Sequence, residues 1–183
     1  MNNLFIELNV DKEPYIKKLT DDNVINLTGE SGSGKSYYTN HYLNNDNYVV
    51  IDTDEVFARF EDSKGINKEL GIEFRKKYKE LPNLFNDFDI IYQDILEFFK
   101  DTNKIIVIDS AQFRNVKDIN ILKGTVIVMR TSVDKCYNRC IERYKINHPN
   151  ATEEDIINYS NKKRGMYIWH KSINDFILKI DNK

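Results

Sequence analysis

Short runs of Val and Ile recur along this chain, separated by longer stretches whose apolar residues fall three and four positions apart. The runs at Val24–Thr28, Tyr48–Asp52, Lys104–Asp109, Thr125–Arg130 and Phe176–Ile180 fit short buried strands. About fifty residues without strand character lie between the second and third runs, enough for two helices. Pro82 suits the start of the second, where Leu84, Phe88, Ile91, Ile95 and Phe98 recur at helical spacing and predict a core-facing stripe. A further helix opens near Thr131 or Ser132, with Val133, Cys136, Tyr137, Cys140, Ile141 and Tyr144 on one face. Residues 147–150, which include Pro149, break it. Thr152 with Asp155 then forms a capping box for the next helix. Strands alternating with helices predict an α/β fold with a mainly parallel sheet. The first twenty residues add at most one short element before that sheet.

Composition narrows the class. A length of 183 residues suits one domain, 1–183, with its own core. The 27 basic and 29 acidic residues leave a formal charge of −2, so no overall pull towards nucleic acid or anionic membrane is expected. No apolar stretch is long enough to span a bilayer, and the first residues lack a secretory pattern. Cys136 and Cys140 make no metal-ligand spacing with the three histidines and fit two small buried side chains. A cytoplasmic protein is the expectation.

The chemistry concentrates after the first strand. Gly29-Glu30-Ser31-Gly32-Ser33-Gly34-Lys35-Ser36 is a complete G-x-x-x-x-G-K-[ST] loop and holds three of the seven glycines. A strand precedes it, and a segment free of Gly and Pro, Lys35 to Leu43, follows as a helix. Such a loop turns consecutive N–H groups onto phosphate oxygens at a helix N-terminus. Gly29 to Tyr37 are therefore the expected triphosphate cradle. Lys35 reaches the β- and γ-phosphates, and the Ser36 hydroxyl ligates magnesium.

Two acidic strand ends fall where open α/β sheets bind ligands. In Asp52-Thr53-Asp54 the two carboxylates can divide labour, Asp52 towards the metal and Asp54 towards a substrate hydroxyl as general base. The same three residues also fit a turn that caps the following helix. Ile105-Ile106-Val107-Ile108-Asp109 ends in an acid suited to hold magnesium through water. Beyond it, Arg114 can pair with an acceptor anion or remain solvated, and Arg59 can orient the acceptor. Arg139 and Arg143, spaced i,i+4, leave one helix face as either a cationic clamp or a pair of surface ion pairs. Lys162-Lys163-Arg164 reads as a solvated face.

In order, these residues resemble the small P-loop kinases that include adenylate, shikimate and gluconate kinases, with the zeta-toxin and polynucleotide kinase group related. GESGSGKS matches their loop, and Asp52-Thr53-Asp54 looks like the D-x-D of shikimate kinases. Val107 to Asn115 is similar to the D-G-F-P-R segment of nucleoside monophosphate kinases, but is one residue longer and lacks its Gly and Pro. Arg139 and Arg143 lie where that family carries lid arginines. The resemblance implies a three-layer fold on a five-stranded parallel sheet in the order 2-3-1-4-5. It also implies ATP with magnesium, a helical acceptor-binding insertion at about 55–100 and a short lid at about 139–150. The expected activity is γ-phosphoryl transfer from ATP to a small-molecule acceptor, with a hydroxyl favoured. The alternatives are a nucleoside monophosphate kinase, a polynucleotide or zeta-toxin-like kinase, and a regulatory ATPase switch.

Overall fold

The computed structural model describes residues 13–54, 76 and 83–183. Strands form at β1 (Tyr15–Lys18), β2 (Val24–Thr28), β3 (Tyr48–Asp52), β4 (Ile105–Asp109) and β5 (Thr125–Val128). They lie in one sheet in the order β1-β5-β2-β4-β3. The pairs β2–β4, β2–β5 and β3–β4 are parallel, whereas β1 runs antiparallel to β5. The sheet is therefore mixed, which corrects the expected all-parallel sheet in the order 2-3-1-4-5.

The difference arises at one edge. Phe176–Ile180 was expected as the fifth strand but lies inside a helix, Gly165–Asp181. Ile173, Phe176 and Ile180 are buried on one side of it, three and four residues apart, so helical periodicity prevails over the β-like composition of the run. The vacant edge is filled by β1. Its exposure alternates as befits an edge strand, with Ile16 outside and Tyr15 packed on the core. Tyr15 Oη donates to Asp181 Oδ1 at 2.6 Å and Lys17 Nζ to the Ile180 carbonyl at 2.8 Å, which clasps the strand to the end of that helix.

The described helices are α1 (Lys35–Tyr42), α2 (Phe88–Phe98), α3 (Val133–Asn147), α4 (Glu153–Lys163) and α5 (Gly165–Asp181). Strand alternation divides their packing. Val49, Ile51, Ile106, Ile108, Val126 and Val128 meet the buried faces of α2 and α5. Phe113 sits between them, edge-on to Phe88 with ring centroids 5.0 Å apart. Leu27, Ile127 and Met129 meet Tyr37 and Tyr38 of α1. Cys136 and Cys140 of α3 are free, buried and packed on Met166 of α5. Small side chains there let α3 come close to the segment that follows β2.

Of the expected apolar stripe, Phe88, Ile91 and Ile95 are buried on α2, Phe98 and Leu84 (which lies ahead of the helix) are partly buried against the same core, and Tyr92 is buried beside them. Pro82 and most of 55–82 lie outside the described residues. In the stretch expected as a lid, residues 139–147 continue α3, and residues 148–152 link it to α4. The capping box forms: Thr152 Oγ1 accepts from the Asp155 amide and the Asp155 carboxylate from the Thr152 amide. At the far end of the strands Gly124 has φ +69°, and a Cβ on it would lie 2.0 Å from the Val24 carbonyl oxygen. No described helix is long and apolar enough to cross a membrane.

Candidate functional site

β2 runs directly into the glycine loop, and α1 starts at Lys35 on its far side. Gly29, Gly32 and Gly34 all have positive φ, at +147°, +81° and +103°. Gly34 stands at the N-cap of α1 with no side-chain cap, so the first amides of the helix remain available to an anion. Gly32 is required twice over. Its φ disfavours any side chain, and a Cβ there would lie 2.7 Å from the Cys136 carbonyl oxygen. The loop is also tied internally: the Ser33 amide donates to the Glu30 carbonyl at 3.1 Å, and Thr131 Oγ1 donates to the Ser33 carbonyl at 2.9 Å. Lys35 Nζ folds back over the loop onto the carbonyls of Gly29 at 3.0 Å and Glu30 at 3.2 Å. Ser36 is exposed at the first turn. The Tyr37 ring stacks on His41 and packs towards the sheet, so its backbone is the part at the loop.

The two acidic strand ends come together. Asp52 and Asp109 are register partners on β3 and β4, and Asp109 is also level with Leu27 just before the loop. Adjacent strands place such partners about 5 Å apart at the backbone. Thr53 Oγ1 donates to Ser110 Oγ at 2.7 Å, which joins the strands one residue beyond the acids. The Asp54 amide donates to Asp52 Oδ1 at 2.9 Å while its own side chain is exposed. Among the described residues no three His, Cys, Asp or Glu side chains form a metal cluster. Arg59 lies outside the described residues.

Cations approach the loop from two sides. From α3, Arg139 Nη1 donates to the Gly32 carbonyl at 3.1 Å, and Arg143 Nη2 lies 3.5 Å from Ser31 Oγ. From the segment after β4, Arg114 Nη1 meets Glu30 Oε1 at 3.3 Å in an ion pair whose side chains are only 8% and 4% exposed. The Arg114 guanidinium also lies 4.8 Å from the centre of the Trp169 ring on α5. Arg114 is thus engaged with the loop itself. Burial pushes the Glu30 carboxyl above its ordinary range, and Arg114, His170, Lys35 and Lys163 pull it part of the way back. Burial likewise pushes the Cys136 thiol up to about 12, which leaves it a packing residue rather than a nucleophile.

Sequence reasoning missed the Glu30 side chain and Trp169. Trp169, the chain's one tryptophan, was the available signal. No protein-family model matches this chain. No curated protein matches it either.

Proposed function

We propose that this protein transfers the γ-phosphoryl group of ATP, with magnesium, to a hydroxyl of a small-molecule acceptor. The observation that carries the reading is the convergence on one loop of Lys35 from α1 and Arg139 and Arg143 from α3. A loop that only bound a nucleotide would need the first cation alone. Phosphoryl transfer spreads negative charge over the equatorial oxygens, and three cations at one loop suit that charge.

In this mechanism the loop amides and the start of α1 hold the triphosphate. Lys35 leaves the Gly29 and Glu30 carbonyls for the β/γ bridge. The acceptor oxygen attacks the γ-phosphorus, the bond to the bridging oxygen breaks, and its electron pair leaves with ADP. The acceptor proton passes to Asp54, whose exposed carboxylate stands beyond Asp52. Arg139 and Arg143 turn from loop oxygens to the phosphoryl group as its charge develops. Ser36, Asp52 and Asp109 would hold magnesium, which would supply charge neutralisation at the phosphates.

The test is an acceptor screen that follows ADP release with ATP and magnesium present. Large stimulation by a hydroxyl compound is expected. Slow hydrolysis that responds only to a protein partner would replace the kinase reading with a nucleotide-driven switch.

A further inference from the structure

A carboxylate inside a phosphate cradle needs an explanation. Glu30 is the second residue of the loop, and its carbonyl accepts both the Ser33 amide and the Lys35 ammonium. Left bare, its side chain would repel the triphosphate that the loop collects. It is not bare: Arg114 meets it in a dry pair, with Trp169 over the guanidinium. The three residues come from the loop, the segment after β4 and α5. Arg114, 84 positions from Glu30 in sequence, thus joins the loop carboxylate to the indole of α5.

We infer that Arg114 is a positioning residue for triphosphate binding that acts through Glu30, cancelling the charge of the loop carboxylate and holding it away from the phosphates. The inference rests on the phosphate-binding reading of the loop and adds what its odd residue requires. Removing one partner of a buried pair leaves the other charged and uncompensated, whereas removing both is tolerated far better. Here the orphaned group would sit within the loop proposed to collect the phosphates. Arg114→Met leaves a carboxylate beside the phosphates, while Glu30→Gln leaves only an added cation. The two singles therefore differ in sign, and a pair that merely supported the fold would give no such asymmetry.

Magnesium with a non-hydrolysable ATP analogue is titrated by calorimetry into the full chain and its variants, each checked for folding by circular dichroism. Arg114→Met is expected to weaken binding at least 30-fold. Glu30→Gln should bind as tightly as the wild type or more so, and the double variant should return to within about fivefold of it. Trp169 emission gives an independent signal, because this single tryptophan covers the pair. Analogue binding should change the emission in the wild type, and the change should be lost in the double variant. Wild-type-like affinity in Arg114→Met, or a tenfold weakening in Glu30→Gln, overturns the inference while the loop reading stands. If Arg114→Met fails to fold, Glu30→Gln alone decides. Failure of the wild type to bind the analogue would instead sink the loop reading itself.

Discussion

The two sides of the glycine loop use the same residue type in opposite ways. On the side of β4 and α5, Arg114 is buried against a carboxylate and under an indole ring. On the side of α3, Arg139 donates to the Gly32 carbonyl among its contacts, and the exposed Arg143 lies beside the Ser31 hydroxyl. An arginine in a dry ion pair is costly to redirect, because its partner would be stranded. An exposed one beside a hydroxyl, as Arg143 is, can turn to a stronger acceptor at little cost. Burial and the charge of the partner, more than nearness to the loop, separate a cation that shapes the site from one that can serve the reaction.

The comparison breaks outright if Lys35, which belongs to neither side, is dispensable. Lys35→Ala should abolish transfer and weaken triphosphate binding, a loss on the order of several kcal/mol in transition-state stabilisation. Turnover and calorimetric affinity measured together would check it. Next in size is Asp54→Asn, expected to slow turnover about 10²- to 10⁴-fold with ATP affinity nearly unchanged. A variant with almost full activity would shift the acceptor from a hydroxyl to a phosphate, which needs no base.

Arg139→Ala and Arg143→Ala sharpen the contrast directly. Each should lower turnover by about 10² while changing analogue affinity little, since the charge they meet is greatest in the transition state. Equal small changes in both quantities would place them with ordinary surface arginines. The smallest effect is Gly32→Ala, which tests whether α3 must sit so close to the loop. Its φ of +81° and the Cys136 carbonyl 2.7 Å from the new Cβ predict a loss of at least about 1–2 kcal/mol in thermal or denaturant unfolding.

The loop, four of the five strands and the capping box were legible because each is written in contiguous residues. Val24–Thr28 and Tyr48–Asp52 form strands over those same residues, and the run expected from Lys104 begins one residue later. β1 was not legible, since four alternating residues at an edge carry almost no pattern. The Phe176–Ile180 run misled because its composition is β-like, although Ile173, Phe176 and Ile180 already spelled a helical face. Lys162 and Arg164 of the expected solvated run are exposed, and Lys163 is half-buried beside the Tyr159 ring. The Glu30–Arg114 pair was beyond reach for a plainer reason. A contact across 84 positions is a product of the sheet order, and neither residue announces its partner locally.

Gly124 closes the far end of the same strands, its amide donating to Thr20 Oγ1 at 2.6 Å and its carbonyl accepting from the Leu19 amide at 2.8 Å. No side chain fits there, because Val24 already occupies the space. Among relatives of this chain, selection should therefore hold Gly124 as firmly as the loop glycines. A map of invariant positions would light both ends of the sheet, and only one of them would mark the proposed chemistry. Evolutionary constraint here would record where backbones touch as strongly as where phosphates bind.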